Sequence, residues 1–269
     1  MNQITIASIT LLTLSSISMI QAAPVTISGN QTLQGQTGVG ELIATNNGAG
    51  NNATAIQLRN GYTLTIEDGA IVNLSSGINI SQGVNGNGAN LTMEVGSTLN
   101  VGSGLSMSGN ATGGTSFITM EGGVLDVGGN FGAGSQYAAS FTIEGDDATI
   151  DVGGNVNAYE NSVFNFNLGT GGVSSIDAEG TMTITSGASL VVDGSAYSGS
   201  SSITLFQFAT DSLTGIFDVA DITLTELDGY SLVYGADSIY LAIPEPSSFV
   251  FGAGILAFGA VLLRRPRVS

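Results

Sequence analysis

One pattern recurs through the middle of this chain and restricts what it can fold into. "LTIEDGAIVNL" begins at Leu64, "LTMEVGSTLNV" at Leu91, "ITMEGGVLDV" at Ile118 and "FTIEGDDATIDV" at Phe141, with a fainter copy, "MTITSGASLVV", at Met182. The first three start 27 residues apart, the fourth follows after 23 and the fifth after 41, an interval that leaves room for one further turn and an insertion. Each copy alternates apolar and polar residues, as a half-buried strand does. Leu64, Ile66, Val72 and Leu74 are expected to point inward, and Thr65, Glu67 and Asn73 outward. Leu91, Met93, Leu99 and Val101 against Thr92, Glu94 and Asn100 repeat the arrangement. A glycine turn, at Gly69, Gly96, Gly123 and Gly187, divides each copy into two short strands.

A single copy cannot bury its apolar face, whereas stacked copies build a continuous core. The spacing therefore predicts an all-β protein, a right-handed parallel β-helix built from residues 23–200. Roughly seven coils at about 4.8 Å each give a rod on the order of 35 Å long. Turn signals every 8–12 residues also suit an antiparallel sandwich, but equivalent positions at near-constant spacing favour the solenoid. Residues 201–242 break the repeat and are expected to cap it, which hides strand edges that would otherwise recruit other chains. Within that cap, "YSLVYGADSIYL" predicts a hairpin, with Leu232 and Tyr234 facing Ile239 and Leu241.

Composition agrees and excludes several function classes. Forty glycines with only four prolines suit many short strands and tight turns. The chain has no cysteine, histidine or lysine, so disulfides, thiolate metal sites and imidazole chemistry are absent. All twenty-one acidic residues lie between Glu41 and Glu245, where Arg59 is the sole basic residue. Such a surface repels nucleic acid and attracts cations. Arg59 reads as a surface charge in a turn rather than a lyase base. Asp146, Asp147 and Asp151 form the densest carboxylate cluster, the place a glycan hydrolase would use. Asp146 and Asp147 fall in the turn between strands, where aspartate is expected for its own local hydrogen bonds. No nucleotide loop, metal motif or catalytic triad is written in the sequence, and no cofactor is expected.

The repeat register does create rows. Glu67, Glu94, Glu121 and Glu144 share one position, a candidate cation ladder, because stacked carboxylates either splay into solvent or share cations. Asn73, Asn100, Asp126 and Asp151 share another. Thr65, Thr92, Thr119, Thr142 and Thr183 read as an outward row of β-branched residues.

The two ends read as traffic signals. Residues 1–22 carry an apolar stretch from Ile4 to Ile20 followed by small residues, the form of a secretory signal helix cleaved after Ala22 or Ala23. At the other end stand Pro244, Glu245 and Pro246, then seventeen uncharged residues from Ser247 to Leu263, then Arg264, Arg265 and Arg267. Seventeen helical residues span roughly 25 Å, enough for a thin bilayer core. Proline donates no backbone hydrogen bond and biases its predecessor to extended backbone, so the triplet is expected to lie open beside the membrane. Residues 243–269 resemble the PEP-CTERM sorting segment of Gram-negative bacteria, with Phe249–Leu263 as its helix and Arg264 and Arg265 as its stop. The repeats themselves resemble, in pattern alone, the passenger β-helices of secreted bacterial surface proteins.

The PEP-CTERM resemblance implies an exosortase, a membrane protease or transpeptidase, as partner. It also implies an inner-membrane-anchored precursor that moves on to the cell surface or to an extracellular, biofilm-type matrix. The expectation is an exported, non-enzymatic structural or adhesive protein, with extracellular polysaccharide as a further partner. The alternative is a polysaccharide-degrading β-helix enzyme using paired carboxylates.

Overall fold

A computed structural model describes residues 25–27, 30–32, 42–46, 54–58, 63–69, 71–74, 77–80, 88–107, 114–134 and 137–243. The terminal signal and sorting segments lie outside these, as does Arg59. Among the described residues no helix is long and apolar enough to cross a membrane, and the one helical element is a 3₁₀ turn, Val219–Asp221.

The described residues form an all-β parallel solenoid with three sheets running along its length. The first strands are β1 (Val25–Ile27), β2 (Asn30–Thr32), β3 (Leu42–Asn46) and β4 (Thr54–Leu58). Regular turns of three strands follow. They are β5 (Thr63–Ile66), β6 (Ile71–Leu74) and β7 (Ile78–Ile80), then β8 (Asn90–Met93), β9 (Thr98–Val101) and β10 (Leu105–Met107). Next come β11 (Ser116–Met120), β12 (Gly123–Val127) and β13 (Phe131–Ala133), then β14 (Ala139–Glu144), β15 (Ala148–Val152) and β16 (Val156–Ala158). The last of these turns are β17 (Ser162–Asn167), β18 (Ile176–Ala178) and β19 (Met182–Ile184), then β20 (Ser189–Asp193), β21 (Ile203–Gln207) and β22 (Leu213–Thr214). The described strands close with β23 (Ile222–Thr225), β24 (Ser231–Tyr234) and β25 (Ser238–Ala242).

The first sheet runs β1-β5-β8-β11-β14-β17-β20-β23, the second begins β2-β6-β9-β12-β15-β18-β21, and the third runs from β3 and β4 through β7 to β22. Five full turns separate β5 from β20, about 24 Å of rise at the inter-strand spacing.

Alternation within each strand sorts side chains by face. Leu64, Leu91, Ile118, Phe141, Phe164 and Leu190 stack inward along the first sheet, all essentially fully buried. Val72, Leu99, Leu125, Ile150 and Ile176 do the same along the second. Each such side chain contributes roughly 1.5–3 kcal/mol by leaving water. In the C-terminal half the core becomes aromatic. Phe131 and Phe141 lie 5.1 Å apart between ring centroids, Phe164 and Phe206 5.4 Å, and Phe166 and Phe206 5.2 Å.

The structure corrects two readings of the repeat. "MTITSGASLVV" is not a fifth equivalent copy. The earlier copies occupy the first and second sheets, but Met182–Ile184 lies in the third and Ser189–Asp193 in the first. The true successor to Phe141 is Phe164, which pairs with it directly in "SVFNFN". A strand–glycine–strand pattern occurs at more than one corner, so the pattern alone does not say which corner it marks. Gly187 accordingly turns the chain from the third sheet to the first, whereas Gly69, Gly96, Gly123 and Gly145 turn it from the first to the second, all with positive φ.

The sequence break near residue 201 is likewise not a break in pairing. β21, β22 and β23 continue their sheets in parallel, and antiparallel chain at this end is confined to β24 and β25. The repeat fades there because residues 194–202 are inserted at the corner, and β21 goes on to pair with β25 across a register shift between Thr204 and Phe206. The hairpin has the expected register, Leu232 opposite Leu241 and Tyr234 opposite Ile239. It extends the second sheet by pairing β25 with β21, and the first and third sheets end on β23 and β22.

Candidate functional site

Parallel in-register pairing turns each outward position into a row running along the rod, and the candidate residues lie in these rows. On the first sheet, Glu94 follows Met93, which pairs with Ile66 and Met120, so Glu67, Glu94 and Glu121 align beside the corner. Glu144 and Asn167 continue the row. Two of these carboxylates, Glu94 and Glu144, are held by the protein. An oxygen of Glu94 accepts the Asp68 backbone N–H at 3.2 Å, and one of Glu144 accepts from the Asn167 side-chain amide at 2.9 Å. Among the described residues no three acidic side chains converge closely enough to hold a metal ion.

The neighbouring threonine row is Thr65, Thr92, Thr119 and Thr142, which pair in succession and end on Asn165. The Asn165 amide donates to Ser140 Oγ at 2.8 Å and to Thr142 Oγ1 at 3.2 Å. Thr183 does not belong here. It sits on the third sheet between Asn157 and Thr214, a consequence of the misplaced fifth copy.

The second sheet carries the row with the most distinctive electrostatics. Asn73, Asn100, Asp126, Asp151 and Asp177 occupy one register position, and Gln207 continues it. At its start the Asn100 amide donates to Asn73 Oδ1 at 2.7 Å. Three successive carboxylates follow. Partial desolvation against the sheet, then the charges of Asp177 and Asp126, raise the Asp151 carboxyl above its ordinary value although the side chain is exposed. Ser175 Oγ donates to Asp177 at 2.5 Å, and Gln207 Nε2 donates to that serine oxygen at 3.3 Å. Asp151 thus belongs with Asp126 and Asp177, while Asp146 and Asp147 are exposed in the preceding corner turn.

Sequence reasoning missed Asp177, because residues 168–175 lengthen the corner before it and spoil the spacing. It also missed an asparagine ladder between the second and third sheets. Asn130 Oδ1 accepts the Asn155 N–H at 2.9 Å, and Asn155 Oδ1 accepts the Thr181 N–H at 2.8 Å. The signal was present in "VGGN", which occurs at 127–130 and again at 152–155. The sorting residues Pro244, Glu245, Pro246, Arg264 and Arg265 lie outside the described residues. No family model, no curated protein and no solved structure matches this chain.

Proposed function

We propose that this protein is an exported, non-enzymatic structural or adhesive rod, delivered by an exosortase to the cell surface or the extracellular polysaccharide matrix. One observation carries the reading: the Pro244–Glu245–Pro246 triplet, an uncharged seventeen-residue span and an arginine stop follow one another directly after the solenoid. The β-solenoid supports it, because a stack of hydrogen-bonded turns is a durable way to build an exported rod without disulfides. The outward rows support it too. Several of their polar groups bond one another along the rod, as structural ladders do, rather than converging on a substrate. Right-handed coiling belongs to the same reading, since parallel crossover connections are overwhelmingly of that hand.

Intact mass of the mature protein from its native host tests the proposal. The expected chain begins at Ala23 or Pro24 and ends near Pro246. A mature protein that keeps the Arg264–Arg265 tail overturns the sorting reading and leaves a plain anchor in its place.

The aspartate row favours a second reading, a glycan hydrolase. Strands about 4.8 Å apart set neighbouring carboxyls near the roughly 5–5.5 Å separation that retaining glycosidases use. A carboxyl held above its ordinary range, as Asp151 is, suits a general acid. Against this, Asp126 and Asp151 are both exposed on the side of a sheet. Release of reducing ends from a polysaccharide panel, lost in Asp151→Asn, would establish the hydrolase. An inactive wild-type protein leaves the rod.

A further inference from the structure

The C-terminal end of the solenoid carries an apolar pair that the fold holds outward. Residues 215–221 join β22 to β23, the terminal strands of the third and first sheets. Phe217 anchors this segment. It is 1% exposed, its ring lies 6.2 Å from that of Phe206, and its N–H donates to Tyr234 Oη at 3.1 Å. Asp218 is tied as well, accepting from Ser186 Oγ at 2.9 Å. With those two fixed, Ile216 and Val219 stand out at 57% and 89% exposed. The segment is pinned at both residues, so the exposure is built into the fold.

The way the chain leaves this end says what meets it. β25 runs antiparallel to β21, with Leu241 opposite Ile203, so it finishes at the corner between the first and second sheets in the last turn. Only Pro244, Glu245 and Pro246 separate Ile243 from the uncharged stretch that begins at Ser247. Even fully extended, such a link reaches at most about 14 Å.

We infer that, in the unprocessed chain, the rod stands with its C-terminal end on the bilayer and Ile216 and Val219 seated in the lipid interface. This rests on the reading of residues 247–263 as a membrane span. Two alternatives for the rod compete, upright or flat. Laid flat, it would press a polar row against the membrane, glutamates on the first sheet, aspartates on the second, or Asn79, Ser106, Asn157 and Thr183 on the third, which costs desolvation. Upright, it presents the apolar pair. Asp211, Asp218, Asp221, Glu226, Asp228 and Asp237 lie in the same terminal turns, so the end fits a zwitterionic surface and not an anionic one. Two side chains would not hold a free protein on lipid. The span makes the contact intramolecular and raises its effective concentration.

The chain contains no tryptophan, which permits a direct test. Full-length Val219→Trp and Val95→Trp variants are placed in phosphatidylcholine nanodiscs with and without dibrominated acyl chains. Val95 is 52% exposed in the corner turn after β8, which lies five strands from β23 on the first sheet, about 24 Å along the rod. The tryptophan at 219 is expected to emit at shorter wavelength than a hydrated indole and to lose more than about half its emission to brominated lipid. The one at 95 is expected to keep its emission. Quenching at both positions means that the rod lies flat and overturns the inference. So does a hydrated, unquenched signal at 219 in chains that co-purify with discs. A blue-shifted but unquenched signal there means that a second copy covers the pair, and also overturns it. Chains that never enter the discs refute the span itself, and the inference with it.

Discussion

Asp151 sits between Asp126 and Asp177 on neighbouring strands, and its titration follows from that position. Because partial desolvation and the two flanking charges raise its carboxyl above the unfolded value, the folded protein binds this proton more tightly than the unfolded chain does. The sign is then fixed: this group favours folding most below the unfolded value, and its contribution is lost as pH rises through the folded one. At neutral pH the ionised row is a liability. Asp151→Asn removes the central charge and places an amide where the Asn73–Asn100 bond shows that amides pair. Its melting temperature should exceed the wild type's at pH 7, by an amount matching cross-strand terms under about 1 kcal/mol per pair. That advantage should shrink as pH falls towards 4. A variant that melts lower at pH 7, or a gap independent of pH, would count against this account. Gly123 poses a different residue-scale constraint. Its φ is +78°, and a Cβ there would meet the Ser97 carbonyl oxygen at 2.4 Å. Strain and clash together predict that Gly123→Ala costs at least about 1–3 kcal/mol in denaturant unfolding.

At the scale of elements, the aromatic strand β17 ties several turns together. Phe164 touches Phe131, Phe141 and Phe206, so it links the third and fourth turns to the sixth. Phe164→Ala should cost about 3–5 kcal/mol, the usual range for a buried aromatic that leaves a cavity. Phe117→Ala is the control on the same sheet, since Phe117 is 43% exposed and faces outward. It should cost far less, and equal losses from the two would argue against the inward–outward register described here.

For the molecule as a whole, stacking makes a weak interaction repeat, and the glutamate row asks whether repetition creates a cation dependence. Repulsion between exposed carboxylates is on the order of 1 kcal/mol per pair in water, and ordinary salt screens much of it. Glu94 and Glu144 already accept hydrogen bonds from the protein. Millimolar calcium should therefore raise the melting temperature little more than sodium chloride at equal ionic strength. A large calcium-specific rise, abolished in Glu94→Gln with Glu121→Gln, would make the row a metal-dependent element.

The sequence by itself determined the solenoid and most of its rows. A period-two alternation specifies which face of a strand is buried, and a 27-residue interval specifies which strands stack. The first four copies therefore placed Leu64 to Phe141, the glutamate row and the Asn73–Asp151 row correctly, and hairpin chemistry placed β24 against β25. Only the tertiary structure decided which corner each glycine turns, because "MTITSGASLVV" has the same local preferences at one corner as at another. Insertions at residues 168–175 and 194–202 reset the spacing without disturbing the stack, since a solenoid requires its strands to align but leaves its corner loops free in length. Hence Asp177 joined Asp151, and Thr183 left the threonine row, through backbone pairing across turns that no local pattern records.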